Sequence, residues 1–254
     1  YMLGHIVHNE NVVKDLDTAG AKVINSLEDI PNNNPILFRA HGTTVETWND
    51  AKAKHINIVD ATCPLVLEIH AEVKKLEAEG RTIIIIGDHG HDEVVGIASQ
   101  VKDAIIVSSP DEAKSLRKMK QAGVVSKSTQ TIENVQEIIN IIMTKVFDLR
   151  FVNTICYPTK RNQSQIKELA KQCDVMIVIG SYTSANSKRL TALAKERNAH
   201  SFQVTCANEI NPKWLKSAEI VGVSAGASTP DNIIDEVLTK IKEIGQVPEE
   251  TIYG

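Results

Sequence analysis

Short β-branched runs alternate with helical patterns along the whole chain. Runs at 36–39, 56–60, 82–87, 104–107, 123–126, 175–180, 201–204 and 220–224 read as strands. Between them apolar residues recur every three or four positions: Leu65, Ile69, Val73 and Leu76; Ile132, Val135, Ile138 and Ile142; Ile166, Leu169 and Cys173. That spacing predicts helices with one buried face. The alternation predicts an α/β fold with mainly parallel sheets, whose ligands gather at the carboxyl ends of the strands.

An internal repeat refines this picture. Asp60-Ala61-Thr62-Cys63 and Asn153-Thr154-Ile155-Cys156 each end a strand and precede a helix. Cys63 stands 24 residues before Gly87, and Cys156 stands 24 before Gly180. The opening Tyr1-Met2-Leu3-Gly4 looks like the same strand end again. Four residues after each glycine come His8, His91 and Ser184, and six after come Glu10, Glu93 and Asn186. Each unit then offers a second strand-end loop, around Ala40-His41-Gly42, Ser126-Lys127-Ser128-Thr129 and Gly226-Ala227-Ser228. The repeat predicts three pseudo-symmetric lobes around a central cavity, a trefoil-like arrangement. Their expected bounds are 1–60, 61–151 and 152–245, with a tail at 246–254. The first lobe reads as incomplete: its matching cysteine is expected 24 residues before Gly4, upstream of Tyr1.

Composition narrows the chemistry. Lys plus Arg total 28 against 32 Asp plus Glu, a net charge of −4, which argues against nucleic acid as a partner. No apolar stretch approaches the roughly 20 residues of a membrane span, and Tyr1-Met2-Leu3-Gly4 does not resemble a secretory signal. The expectation is a soluble, cytoplasmic protein. Four cysteines in 254 residues make no disulfide scaffold.

Cys63 and Cys156 share a repeat position, and thiolates there suit zinc or an iron–sulfur cluster. One cysteine per lobe would leave one iron of a [4Fe–4S] cube without a protein ligand. Cys173 lies on an apolar helical stripe and reads as core; Cys206 has no repeat partner and reads as structural. His8, His41, His91, Ser128, Ser184, Asn186 and Ser228 offer donors for an oxygen-rich anion such as a diphosphate. Glu93, two residues from His91, is the candidate proton donor. His5, His55, His70, His89 and His200 read as surface or local hydrogen-bonding groups. No phosphate loop of the Gly-x-x-x-x-Gly-Lys-Ser/Thr kind is present in the sequence.

These motifs, with His5-Ile6-Val7-His8-Asn9, Asp60-Ala61-Thr62-Cys63-Pro64-Leu65-Val66, Gly90-His91-Asp92-Glu93-Val94 and Ala225-Gly226-Ala227-Ser228-Thr229-Pro230-Asp231, resemble the 4-hydroxy-3-methylbut-2-enyl diphosphate reductase family over nearly the whole chain. The resemblance implies an iron–sulfur oxidoreductase that converts an allylic alcohol diphosphate to isopentenyl and dimethylallyl diphosphate. It implies a [4Fe–4S] cluster on Cys63, Cys156 and a cysteine upstream of Tyr1, with ferredoxin or flavodoxin as electron donor. It makes Glu93 catalytic and gives His8, His41, His91, Ser128, Ser184, Ala185, Asn186 and Ser228 to the substrate. Three departures stand out. Ser126-Lys127-Ser128-Thr129 replaces Ser-Gln-Thr-Thr, Ser184-Ala185-Asn186 replaces Ser-Ser-Asn, and Arg161-Asn162-Gln163 replaces Asn-Arg-Gln. Together with the absent amino-terminal segment, they set the expectation that the complete parent protein is an active reductase while this chain holds a cluster poorly or not at all. Two other readings remain open: a non-catalytic diphosphate-binding relative, and a zinc hydrolase of a phosphorylated metabolite.

Overall fold

The computed structural model describes residues 1–31 and 34–245; the expected tail at 246–254 lies outside them. The chain forms two compact units. One comprises Tyr1–Val7 and Val13–Lys160, the other His8–Val12 and the chain from Arg161 on.

The first unit holds two parallel sheets. The first is built from β1 (Met2–Leu3), β2 (Val23–Ile24), β3 (Ile36–Phe38) and β4 (Ile58–Asp60), in the order β2-β1-β3-β4. Helices α1 (Glu10–Thr18), which runs across from the second unit, and α2 (Val45–Ala53) connect its strands, and α3 (Pro64–Ala78) follows β4. The second sheet contains β5 (Thr82–Ile86), β6 (Ala104–Val107), β7 (Met119–Ser126) and β8 (Val146–Phe151), in the order β6-β5-β7-β8. Its helices are α4 (Asp92–Ala98), α5 (Pro110–Ser115) and α6 (Ile132–Ile142). Helix α7 (Tyr157–Gln172) leads into the second unit, where β9 (Val175–Ile179), β10 (Ser201–Val204) and β11 (Val221–Ala225) pair in parallel as β10-β9-β11. There α8 (Ala185–Lys195), α9 (Pro212–Leu215) and α10 (Asp231–Gly245) complete the connections.

The apolar runs form central strands because both faces of each sheet are covered. In β5, Ile83 and Ile85 pack with α3 and α4, while Ile84 and Ile86 pack with α5 and α6. Full burial of an Ile side chain contributes about 1.5–3 kcal/mol, so these four residues anchor the unit. In β9, Val175, Ile177 and Ile179 likewise face α9 and α10, and Met176 and Val178 face α7 and α8.

The repeat is visible in the hydrogen bonding. The glycine after β1, β5 and β9 donates its N–H to the neighbouring strand end: Gly4 to Ile24, Gly87 to Val107 and Gly180 to Val204, at 2.8–3.0 Å. Strand order repeats as well, so the first, second and third strands of each sheet occupy matching places. Two strands escape the sequence pattern. β2 has only two residues, and β8 carries charged residues between its apolar ones.

One reading needs correction. His70 is neither a surface group nor locally hydrogen-bonded. It is 8% exposed and its Nε2 has no hydrogen-bond partner. The reason is its place on the buried face of α3, beside Val66, Ile69, Val73 and Leu76.

Candidate functional site

In the first unit, the loops after β3, β5 and β7 carry the candidate groups. His91 is the N-cap of α4, and its Nδ1 accepts the Glu93 N–H at 3.2 Å. The cap satisfies a backbone donor that a helix start leaves over. His41 and His91 meet edge-on, with ring centroids 5.7 Å apart. Glu93, in the first turn of the helix, is 1% exposed, and its Oε1 accepts the Ser128 N–H at 2.6 Å. Ser128 carries the contact onward: its carbonyl accepts the Cys156 N–H at 2.9 Å. The structure therefore links His91, Glu93, Ser128 and Cys156 through the start of α4, the loop after β7 and the start of α7.

Each thiol sits behind the same turn. Thr62 N–H donates to Asp60 Oδ1 at 3.0 Å, and Ile155 N–H donates to Asn153 Oδ1 at 3.3 Å. The carboxylate or amide two residues back thus bends the chain before the cysteine. Cys63 N–H then bonds Ala40 O, as Cys156 N–H bonds Ser128 O. Both are free thiols of intermediate exposure at helix starts. Cys156 Sγ contacts Thr159 Oγ1 at 2.9 Å and borders a cavity of about 290 Å³ lined also by Glu68, Glu72 and Tyr157. Soft thiolates of this kind suit an iron–sulfur cluster. Among the described residues, however, no group of three His, Cys, Asp or Glu is arranged to hold a metal. The two thiols fit part of a cluster's ligand set.

In the second unit Ser184 is the N-cap of α8 and accepts the Ser187 N–H at 3.3 Å. Ala185 opens that helix, followed by half-buried Asn186. His8 is half-buried and precedes Asn9, whose Oδ1 accepts Asn11 N–H and whose Nδ2 donates to Ser228 O at 2.8 Å. The capping position of α1 is therefore Asn9. Its loop is one residue longer than those before α4 and α8, which shifts the repeat by one at His8. Glu10 bonds the hydroxyls of Ser181 and Thr183 through Oε1, at 2.7 and 3.0 Å.

Two ion pairs beside the site were not read from the sequence. Lys127 has no exposed side-chain surface and ion-pairs with Asp88, while Arg39 reaches Asp92 at 2.5 Å. Cys173 packs beside Gly222 on the α7 side of the third sheet, as expected of core, and burial raises its thiol pKa. No described helix is long and apolar enough to cross a membrane.

Three parallel sheets, with polar groups, thiols and a buried carboxylate on their strand-end loops, define an α/β protein built for chemistry at the carboxyl edges. The model of a family described as LytB protein matches residues 1–242, and the chain belongs to that family. A Geobacter metallireducens relative named 4-hydroxy-3-methylbut-2-enyl diphosphate reductase is 41% identical over 245 residues, covering 96% of this chain and 86% of that protein. A Burkholderia mallei relative named 4-hydroxy-3-methylbut-2-enyl diphosphate reductase 2 is 36% identical over 259 residues, 100% of this chain and 79% of that one. Among solved structures, the reductase titled the terminal enzyme of the non-mevalonate pathway aligns with TM-score 0.72 and 34% identity, over 96% of this chain and 88% of that chain. The Plasmodium falciparum E-1-hydroxy-2-methyl-but-2-enyl-4-diphosphate reductase aligns with TM-score 0.90 and 28% identity, over 95% and 78%.

Proposed function

We propose that the protein catalyses the reductive dehydroxylation of 4-hydroxy-3-methylbut-2-enyl diphosphate. The substrate takes up two electrons and two protons, loses its hydroxyl as water, and yields isopentenyl or dimethylallyl diphosphate. The relatives' names support this substrate. The observation that carries the reading is Glu93, buried within the protein, hydrogen-bonded to Ser128 and two residues past His91, whose ring meets that of His41.

Under this reading Cys63 and Cys156 are two of the protein ligands of a [4Fe–4S] cluster. Such a cluster, when bound, supplies electrons and an open iron that acts as a Lewis acid. Ferredoxin or flavodoxin is the electron donor. The protein's own residues do the rest. His8, His41, His91, Ser184, Ala185, Asn186 and Ser228 take the substrate and its diphosphate, with hydrogen bonds to the charged oxygens. Glu93, its carboxyl held by the Ser128 N–H, delivers a proton. Ser128 keeps its hydroxyl for the substrate side. The three lobes bounded at 1–60, 61–151 and 152–245 belong to the same proposal.

Anaerobic loading of the full-length protein with iron and sulfide tests it. The expected result is a brown, oxygen-sensitive protein that oxidises a reduced viologen dye only when the allylic diphosphate is added. A fully loaded protein without substrate-dependent oxidation would overturn the reading, as would a colourless protein containing one zinc.

A further inference from the structure

We propose that Arg39 and Lys127 are positioning residues that clamp the loop carrying His91 and neutralise its carboxylates. The proposal deepens the reductase reading, on which it rests for the roles of His91 and Glu93. Arg39 and Lys127 occupy one repeat position, the first residue after the third strand of their sheets. The carbonyl of each accepts the N–H three residues on, Gly42 for Arg39 and Gln130 for Lys127, both at 3.1 Å. Their side chains converge on a single segment. Lys127 Nζ pairs with Asp88 and Arg39 Nη1 with Asp92, the two residues that bracket His89, Gly90 and His91.

Burial sets the Lys127 pair apart from a surface contact, while Arg39 and Asp92 are 24% and 34% exposed. The Lys127 side chain is 0% exposed, and an ammonium in that setting is strongly destabilising without its counter-charge. Lys127 also packs at the base of the loop: a Cβ placed on Gly87 would lie 3.4 Å from Lys127 Cβ. The next residue, Ser128, holds Glu93 through its N–H. One short stretch of β7 and its loop therefore fixes the connection on both sides of His91. Asp88 through the Lys127 ammonium lies before it, and Glu93 through the Ser128 amide after it.

The clamp has an electrostatic role as well. An anion held by His41 and His91 would face repulsion from bare carboxylates at Asp88 and Asp92. The two cations remove that repulsion without offering themselves as ligands. This predicts a rescue that a packing role alone would not produce.

The test uses full-length protein and inorganic diphosphate, with binding read by calorimetry. Lys127→Met is expected to weaken binding by ~10-fold, because it frees the Asp88 charge and the loop. Lys127→Met/Asp88→Asn should recover most of that loss. If Lys127→Met fails to fold, Arg39→Met and Arg39→Met/Asp92→Asn carry the same comparison. Unchanged binding in the single variant, or a double variant no better than the single, overturns the clamp. If the wild type binds no diphosphate, the functional reading falls. The clamp is then decided by the nuclear Overhauser contact between the His41 and His91 rings, which should vanish in the single variant and whose persistence would refute it.

Discussion

His70 makes the protein lose stability in mild acid. Burial, aided by the nearby Lys74 and opposed by Asp60, pushes its pKa from 6.5 down to about 4. A Cβ placed on Gly42 would lie 3.0 Å from His70 Cε1, and one on Gly96 would lie 3.7 Å from Nε2. The ring thus fills the space beneath the residue that follows His41. Between pH 6.5 and 4 the unfolded chain binds a proton here that the folded chain does not, so stability rises with pH. The contribution is fully present above pH 6.5 and is lost progressively as pH falls toward 4. A displacement from 6.5 to about 4 is worth about 3 kcal/mol in total, of which about 2 kcal/mol is gone at pH 5. Urea denaturation of the wild type and of His70→Gln at pH 7.5 and 5.0 measures it. The variant should lose about 2 kcal/mol less than the wild type over that interval. The His70 ring proton should also keep its neutral chemical shift down to pH 5. Parallel stability profiles, or a ring that titrates near 6.5, would refute the reasoning.

Two further outcomes follow from single positions. Glu93→Gln keeps the shape and the Ser128 contact while removing the transferable proton, so turnover of the loaded enzyme should fall by ~10²–10⁴ with substrate affinity little changed. Steady-state kinetics beside calorimetric binding reads this, and equal loss of both would point to a binding role. Gly123 in β7 faces α3 so closely that an added Cβ would lie 2.9 Å from Leu76 Cβ. Gly123→Ala should therefore cost about 1–3 kcal/mol of stability in chemical denaturation, and an unshifted midpoint would show that α3 moves aside freely.

Much of the parallel-sheet architecture was legible because its signal is local. The Ile83–Ile86 run has no polar face because α3 and α4 cover one side and α5 and α6 the other. β8 gives a weaker signal. It lies at the sheet edge, where Phe147 is 92% exposed and Asp148 and Arg150 are satisfied by Arg81, Glu72 and Glu79. His70 was legible in principle, since Val66, Ile69, Val73 and Leu76 set the stripe on which it lies. A histidine simply carries no apolar flag in such a pattern. Lys127 could not be placed this way. Lysine is almost never fully buried unless it is paired, and its partner Asp88 stands 39 residues away.

The repeat explains why backbone and chemistry were unequally readable. The position after the third strand is Arg39 in the first sheet, Lys127 in the second and Gly226 in the third, each with a carbonyl bonded to the N–H three residues on. One backbone turn is thus used three times, while its side chain is a guanidinium, an ammonium and a hydrogen atom. At Gly226 the missing side chain is enforced: a Cβ there would come 2.4 Å from Ser187 Oγ. At Arg39 and Lys127 the long side chains reach back to one loop of the second sheet. Spacing arguments detect what the copies share, namely strands, turns and caps. Function resides where the copies differ, and those differences acquire meaning only through contacts made far along the chain. The one-residue longer loop before α1 belongs to the same class. It puts the cap at Asn9, not at His8 four residues past the glycine, and leaves the histidine ahead of the helix, so identical spacing in sequence does not guarantee identical roles in space.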